Sequence, residues 1–275
     1  MSRLSQAFAE LRTRGRKGLI PYVVAGDPSP EGTVTLLHAL VAAGADVLEV
    51  GVPFSDPMSE GPVIQKGHER ALARGMSLQR VLEMVSIFRQ DDDKTPIVMM
   101  GYANPVECFG YERFASAAAE AGVDALITVD LPPEEVDEID GVLQAVGLDN
   151  IFLISPTTPE ARIQTIVERA RGFIYYVAVK GVTGSGQLDA EEVSRSVALI
   201  RQKTDLPIAV GFGIKDAKSA RAIAASADAV VVGSALIAEM DEKARSGEDL
   251  PEIQIHDAAV QLLQSMRAGV DSSPS

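Results

Sequence analysis

The feature that most restricts this chain is an alternation of two periodicities. Short runs rich in Val, Ile and Tyr take turns with longer stretches of helical spacing, the pattern of parallel strands joined by crossover helices. Strands are predicted at 19–25, 46–52, 96–101, 124–130, 150–155, 173–179, 207–212 and 229–233, with helices between them at 30–43, 111–121, 133–146, 159–170, 190–203 and 216–225. Glycine marks several returns to a strand, twice as Ala-Gly-x-Asp, at 43–46 and 121–124. Eight strand–helix units in about 250 residues is the size of a (β/α)8 TIM barrel, in the α/β class. A doubly wound open sheet is the alternative. No Pro/Ser-rich linker divides the chain, so one domain is expected over 1–268, followed by a small polar tail, 269–275, that frays. Leu4, Phe8 and Leu11 recur at helical spacing and predict a short N-terminal helix docked by one face.

Charge removes whole classes of partner. Of 275 residues, 25 are Lys or Arg and 39 are Asp or Glu, a net charge of −14 that repels nucleic-acid backbones and anionic membranes. The apolar runs at 19–25, 96–100 and 229–232 are far shorter than the roughly 18 residues a spanning helix needs. The basic N-terminus lacks the apolar centre of a secretory signal. Cys108 has no partner for an internal disulfide, and His38, His68 and His256 have no metal-ligand spacing, so a cytoplasmic protein without a metal is expected. The acidic run Asp91 to Asp93 reads as a solvated loop.

In a barrel of this kind chemistry belongs at the C-terminal ends of the strands. The second strand reads LEVGVPFSDPMSEGP, where alternation sends Val47, Glu49 and Gly51 to one face. A lone carboxylate near the end of an apolar strand is costly to bury ionised, so Glu49 is either paired structurally or an acid/base with a raised pKa. Eleven residues on, Glu60 sits in a loop over the same mouth, with Asp56 as a turn former in that loop. Asp130 reads as a turn or cap residue. Glycines follow three strands: Gly181, Gly184 and Gly186, then Gly211 and Gly213, then Gly233 before Ser234. Backbone amides approach an anion closely there, and a helix beginning at Ser234 adds its positive end, which predicts a phosphate site. The dinucleotide-binding fingerprint fails because Asp216 stands where the third glycine belongs. Adjacent Tyr175 and Tyr176 must face opposite sides of their strand, and Met99, Met100 and Ile154 read as core or pocket lining.

The run LEVGVPFSDPMSEGPVIQ, with GDPSP after strand one, GYANP after strand three, GVTG after strand six and GFGI after strand seven, closely resembles the tryptophan synthase alpha chain family from about Arg3 to beyond Ile237. The resemblance implies a lyase that cleaves indole-3-glycerol phosphate to indole and glyceraldehyde 3-phosphate in tryptophan biosynthesis. It also implies an α2β2 complex with a beta chain that carries pyridoxal phosphate, none being held by this chain. By the same resemblance Glu49 is the general acid/base, and Glu60 is the partner of the indole N–H at a place where the family usually has Asp. Tyr175 stands beside the substrate, Tyr22 packs on the indole where Phe is frequent, and Met100 lines the pocket. Thr183 and Gly184 belong to a mobile lid, Gly213, Gly233 and Ser234 to the phosphate cradle, and Pro53, Asp56 and Asn104 to loops that face the beta chain. The Glu60 substitution motivates one alternative, a catalytically weak barrel that mainly activates a beta chain. Another phosphate-binding barrel, such as a sugar-phosphate isomerase, is disfavoured by the strand-two motif.

Overall fold

The computed structural model describes residues 2–178, 189–246 and 251–273. The eight predicted strands are all present: β1 (Gly18–Val24), β2 (Leu48–Gly51), β3 (Ile97–Gly101), β4 (Ala125–Thr128), β5 (Asp149–Ile154), β6 (Ile174–Val177), β7 (Ile208–Gly211) and β8 (Ala229–Val232). Each pairs in parallel with its sequence neighbours, and β1 closes on β8 with Gly18 opposite Ala229. Closure excludes the doubly wound sheet, which has two free edges.

Alternation along the strands builds two cores. Outward residues such as Leu48, Val50, Met99, Ile154, Tyr176 and Val230 pack under the helices. Inward residues Ile20, Val47, Val98, Ile127, Ile151, Phe173 and Tyr175 fill the barrel together with Leu4, Phe8 and Leu11 of the Arg3–Thr13 helix. The docked N-terminal helix expected from the sequence is therefore the plug of the barrel floor, with Phe8 and Phe173 ring centroids 5.7 Å apart. Burying its three apolar side chains contributes about 1.5–3 kcal/mol each.

The Ala-Gly-x-Asp repeat has a structural explanation. Gly122 ends the Tyr111–Ala121 helix in the left-handed conformation (φ 89°) that favours glycine, and the following Asp reaches sideways. Asp124 Oδ2 accepts the Ile97 amide of β3 at 2.8 Å and the Arg89 guanidinium at 2.8 Å, while Oδ1 accepts from Arg3 at 3.0 Å. Asp46 does the same for Leu19 of β1 with Arg267, and Asp228 for Ile208 of β7 with Arg201. Three aspartates thus tie an amide at the start of an odd-numbered strand, the first of β3 and β7 and the second of β1, to a neighbouring arginine at the barrel floor. Asp124→Ala should cost roughly 2–4 kcal/mol, because it strands a buried amide and a mostly buried cation. Urea unfolding measures this. A loss below about 1 kcal/mol would show that the clamp holds nothing, since that is the scale of an exposed pair.

Several boundaries differ from the sequence reading, and two of the differences have a physical cause in the structure. The helix expected over 133–146 runs Asp137–Ala145, because a turn from Pro132 to Glu135 occupies the residues before it. The last helix continues to Asp271, past the boundary placed at 268: Gly269 lies against the Ala217 carbonyl, too close for any side chain, and Val270 is buried.

Candidate active site

Glu49 stands on β2 in register with Tyr22 of β1 and Val98 of β3, facing into the barrel mouth. It is 1% exposed, and neither carboxylate oxygen has a hydrogen-bond partner. Burial, with the Glu60 charge adding to it, pushes its pKa up to about 8, so the side chain carries its proton at neutral pH. Of the two possibilities left open by the sequence, structural pairing is excluded.

Glu60 hangs over the same mouth from the loop after β2, 8% exposed. Unlike Glu49 it is partnered. The Tyr102 hydroxyl donates to Glu60 Oε2, while the Ser59 amide donates to the same hydroxyl at 3.1 Å. Phe54 stacks on the Tyr102 ring with centroids 4.9 Å apart, and Gln65 donates to the Glu60 carbonyl at 2.8 Å. Burial raises the Glu60 pKa, and the Tyr102 hydrogen bond opposes that rise. Two carboxyl groups in one mouth are thereby set apart: the unpartnered one keeps a proton, and the hydrogen-bonded one gives its proton up first.

The mouth encloses a cavity of about 300 Å³, whose wall brings together Tyr22, Glu49, Glu60, Met100, Tyr175, Gly213, Gly233 and Ser234. Tyr175 faces this cavity while Tyr176 faces outward, with its hydroxyl bonded to Ser196 of the Ala190–Arg201 helix. Glycine makes room for the rings: a Cβ on Gly51 would overlap the Tyr22 hydroxyl, and one on Gly211 would overlap that of Tyr175. Gly233 also lies against the Tyr22 ring, so its lack of a side chain serves packing as well as any anion. At one end of the cavity the Ser234–Ala244 helix begins, as the sequence predicts, and its first amides have no acceptor within the helix. No Lys or Arg among the described residues lines this cavity. Thr183 and Gly184 lie outside the described residues. Pro53 is buried, whereas Asp56 and Asn104 are exposed, and none of the three lines the cavity. Asp130 is a cap, its Oδ1 accepting the Ala103 amide at 2.7 Å at the start of the Ala103–Phe109 helix.

Three residues were not singled out for the site from sequence. Tyr102 holds Glu60, and His68 bonds Tyr22. Phe212 lies over the cavity, 45% exposed, at φ 90°, a conformation costing about 1–3 kcal/mol for a residue with a side chain. Its place between Gly211 and Gly213 was the only available signal. Behind the mouth, Arg70 of the Pro62–Ala73 helix clasps buried Asp27 at 2.7 and 2.8 Å and reaches Asp241 of the Ser234–Ala244 helix at 2.9 Å. That network ties the helix after the Glu60 loop to the Ser234–Ala244 helix. Among the described residues no cluster of His, Cys, Asp and Glu could hold a metal ion, and no helix is long and apolar enough to cross a membrane.

Comparison with known proteins points the same way. The family model for the tryptophan synthase alpha chain matches residues 8–266. The chain is 55% identical to the tryptophan synthase alpha chain of Thioalkalivibrio sulfidiphilus over 98% of its own length and 100% of the relative's. It is 56% identical to that of Laribacter hongkongensis over 90% and 94%. Its fold matches the crystal structure of tryptophan synthase subunit alpha from Legionella pneumophila with a TM-score of 0.90 at 45% identity, covering 98% of this chain and 99% of that one. The chain belongs to the tryptophan synthase alpha chain family.

Proposed function

We propose that Glu49 and Glu60 divide the work of one retro-aldol cleavage in this cavity. As a member of its family the chain is a carbon–carbon lyase of tryptophan biosynthesis, cleaving indole-3-glycerol phosphate to indole and glyceraldehyde 3-phosphate. The carboxylic acid of Glu49 gives its proton to indole carbon 3, which makes the ring a cationic leaving group. The Glu49 carboxylate then takes the proton of the adjacent glycerol hydroxyl as the bond to carbon 3 breaks. The electron pair of that bond returns to the ring, the hydroxyl carbon becomes the aldehyde, and Glu49 is protonated again. Glu60 accepts a hydrogen bond from the indole N–H, which strengthens as the ring turns positive. Tyr22, Met100 and Tyr175 pack around the indole, and the amides of Gly213, Gly233 and Ser234 hold the phosphate.

The observation that carries this reading is Glu49 itself, buried and unpartnered beside a second carboxylate that is held by a tyrosine. The partner is a tryptophan synthase beta chain in an α2β2 heterotetramer in the cytoplasm, reached through the loop bearing Pro53 and Asp56 and through Asn104, which the structure places in the first turn of the Ala103–Phe109 helix rather than in a loop. Pyridoxal phosphate belongs to that beta chain. The test is to incubate the purified chain with indole-3-glycerol phosphate, with and without a beta chain, and to measure indole and glyceraldehyde 3-phosphate. Equal amounts of both products, formed faster in the complex, are expected. No cleavage in either condition, with the beta chain still stimulated, would leave only the activator role.

A further inference from the structure

Two helices start at the cavity wall. The Pro62–Ala73 helix begins directly after Glu60, with Gly61, Pro62 and Val63 lining the cavity, and the Ser234–Ala244 helix begins where Gly233 and Ser234 line it. A substrate that touches Glu60 and the Ser234 amide together must match the spacing between these two starts. Packing alone does not set that spacing. The helices are neighbours, yet among the described residues a groove of about 600 Å³ lies between them, with Pro62, Val63 and Lys66 on one side and Ala238, Glu242 and Arg245 on the other.

What spans the two helices is Arg70. Its Nε and Nη2 donate to the two oxygens of Asp27 at 2.7 and 2.8 Å, and its Nη1 donates to Asp241 at 2.9 Å. Asp27, just after β1, is 2% exposed, and the first helix approaches it at Gly67, where a Cβ would lie 3.0 Å from Asp27 Oδ2. Arg70 is therefore anchored on the barrel rim by a buried, bidentate, charge-assisted pair, and its remaining arm reaches the second helix. Arg70 and Asp241 each stand about two turns beyond the start of their helix. The other cation on Asp241 is Arg245, one turn further on at 3.7 Å and exposed. We propose that Arg70 is a positioning residue that, through Asp27 and Asp241, fixes the distance between Glu60 and the first amides of the Ser234–Ala244 helix. The consequence for substrate rests on the phosphate role given to that helix above. Charge alone argues the other way: removing Asp241 takes a negative charge from the neighbourhood of an anion and should tighten phosphate binding, whereas loss of position weakens it.

The test is a titration of the full chain with inorganic phosphate and with glyceraldehyde 3-phosphate, followed by NMR at the Gly233 and Ser234 amides. Asp241→Ala leaves the Asp27 clasp intact and cuts only the link to the second helix, so the fold should hold. It should weaken both ligands by about threefold to tenfold and raise KM for indole-3-glycerol phosphate in proportion, with a smaller effect on kcat. Indole, which has no phosphate, should bind as before. Asp241→Asn removes the same charge but keeps an acceptor for Arg70, and should restore most of the loss. Arg70→Lys has one ammonium for two aspartates, so it should weaken phosphate in the same direction, and Asp241→Ala added to it should cost little more. Arg245→Ala should change phosphate binding by less than about twofold, as expected for an exposed pair. Phosphate binding that is unchanged or tighter in Asp241→Ala, or an Asn variant no better than the Ala one, would overturn the proposal while leaving the phosphate role of the helix standing. Phosphate that fails to move the Gly233 and Ser234 amides of the wild type would overturn that role, and the proposal with it.

Discussion

Glu49→Gln should lower kcat for cleavage of indole-3-glycerol phosphate by about 10² to 10⁴ while leaving fold and phosphate binding intact. The amide fills the same space on β2 but has no proton to give to carbon 3. The same substitution should stabilise the protein at alkaline pH, and the sign follows from proton linkage. Folding raises the Glu49 pKa from 4.5 to about 8, so between those values the folded state binds a proton that the unfolded state has released. Stability therefore falls as pH rises through this window, by an amount on the order of a few kcal/mol at its upper end. Glutamine has no such proton, so the variant escapes the loss. Chemical unfolding at pH about 6 and about 9 measures it: the wild type should weaken between them and Glu49→Gln should weaken less. Near-normal turnover in Glu49→Gln would take Glu49 out of the mechanism.

Glu60→Ala should cost about 10² to 10³ in kcat with little change in substrate affinity, because a charge-assisted hydrogen bond to a ring becoming cationic counts in the transition state and hardly in the ground state. The deletion also leaves the Tyr102 hydroxyl without its acceptor at the cavity wall. Glu60→Asp keeps the charge and should retain activity within about tenfold, since the loop from Phe54 to Gly61 can bring a shorter carboxylate to the same point. Steady-state kinetics of the isolated and complexed chain for wild type and both variants decide the matter. The activator reading expects the opposite pattern, an unchanged low cleavage rate in Glu60→Ala with stimulation of the beta chain preserved.

The barrel was legible in the sequence because its two periodicities are local. Val47, Glu49 and Gly51 announce one face of a strand, and a glycine at the end of each of several strands marks the mouth. Glu49 was legible for the same reason, as one charge in an apolar alternation. The partners of the site were not, since each depends on contact across the barrel. Tyr102 lies 42 residues from Glu60 and His68 lies 46 from Tyr22, and no spacing rule joins such pairs. Gly51 and Gly211 show a further limit. Read along the chain Gly211 is an anion glycine and Gly51 one position on a strand face, and only the packed mouth reveals that each makes space for a tyrosine hydroxyl.

The central claim is that one carboxyl of this cavity holds its proton at neutral pH and delivers it to the substrate. Difference infrared spectroscopy of the protonated carboxyl band across pH, with wild type compared to Glu49→Gln, tests it most directly. The account predicts a band present at neutral pH, absent from the variant and fading with a midpoint near 8. A Glu49 carboxyl already ionised above pH about 5, as an ordinary solvated glutamate is, would contradict it.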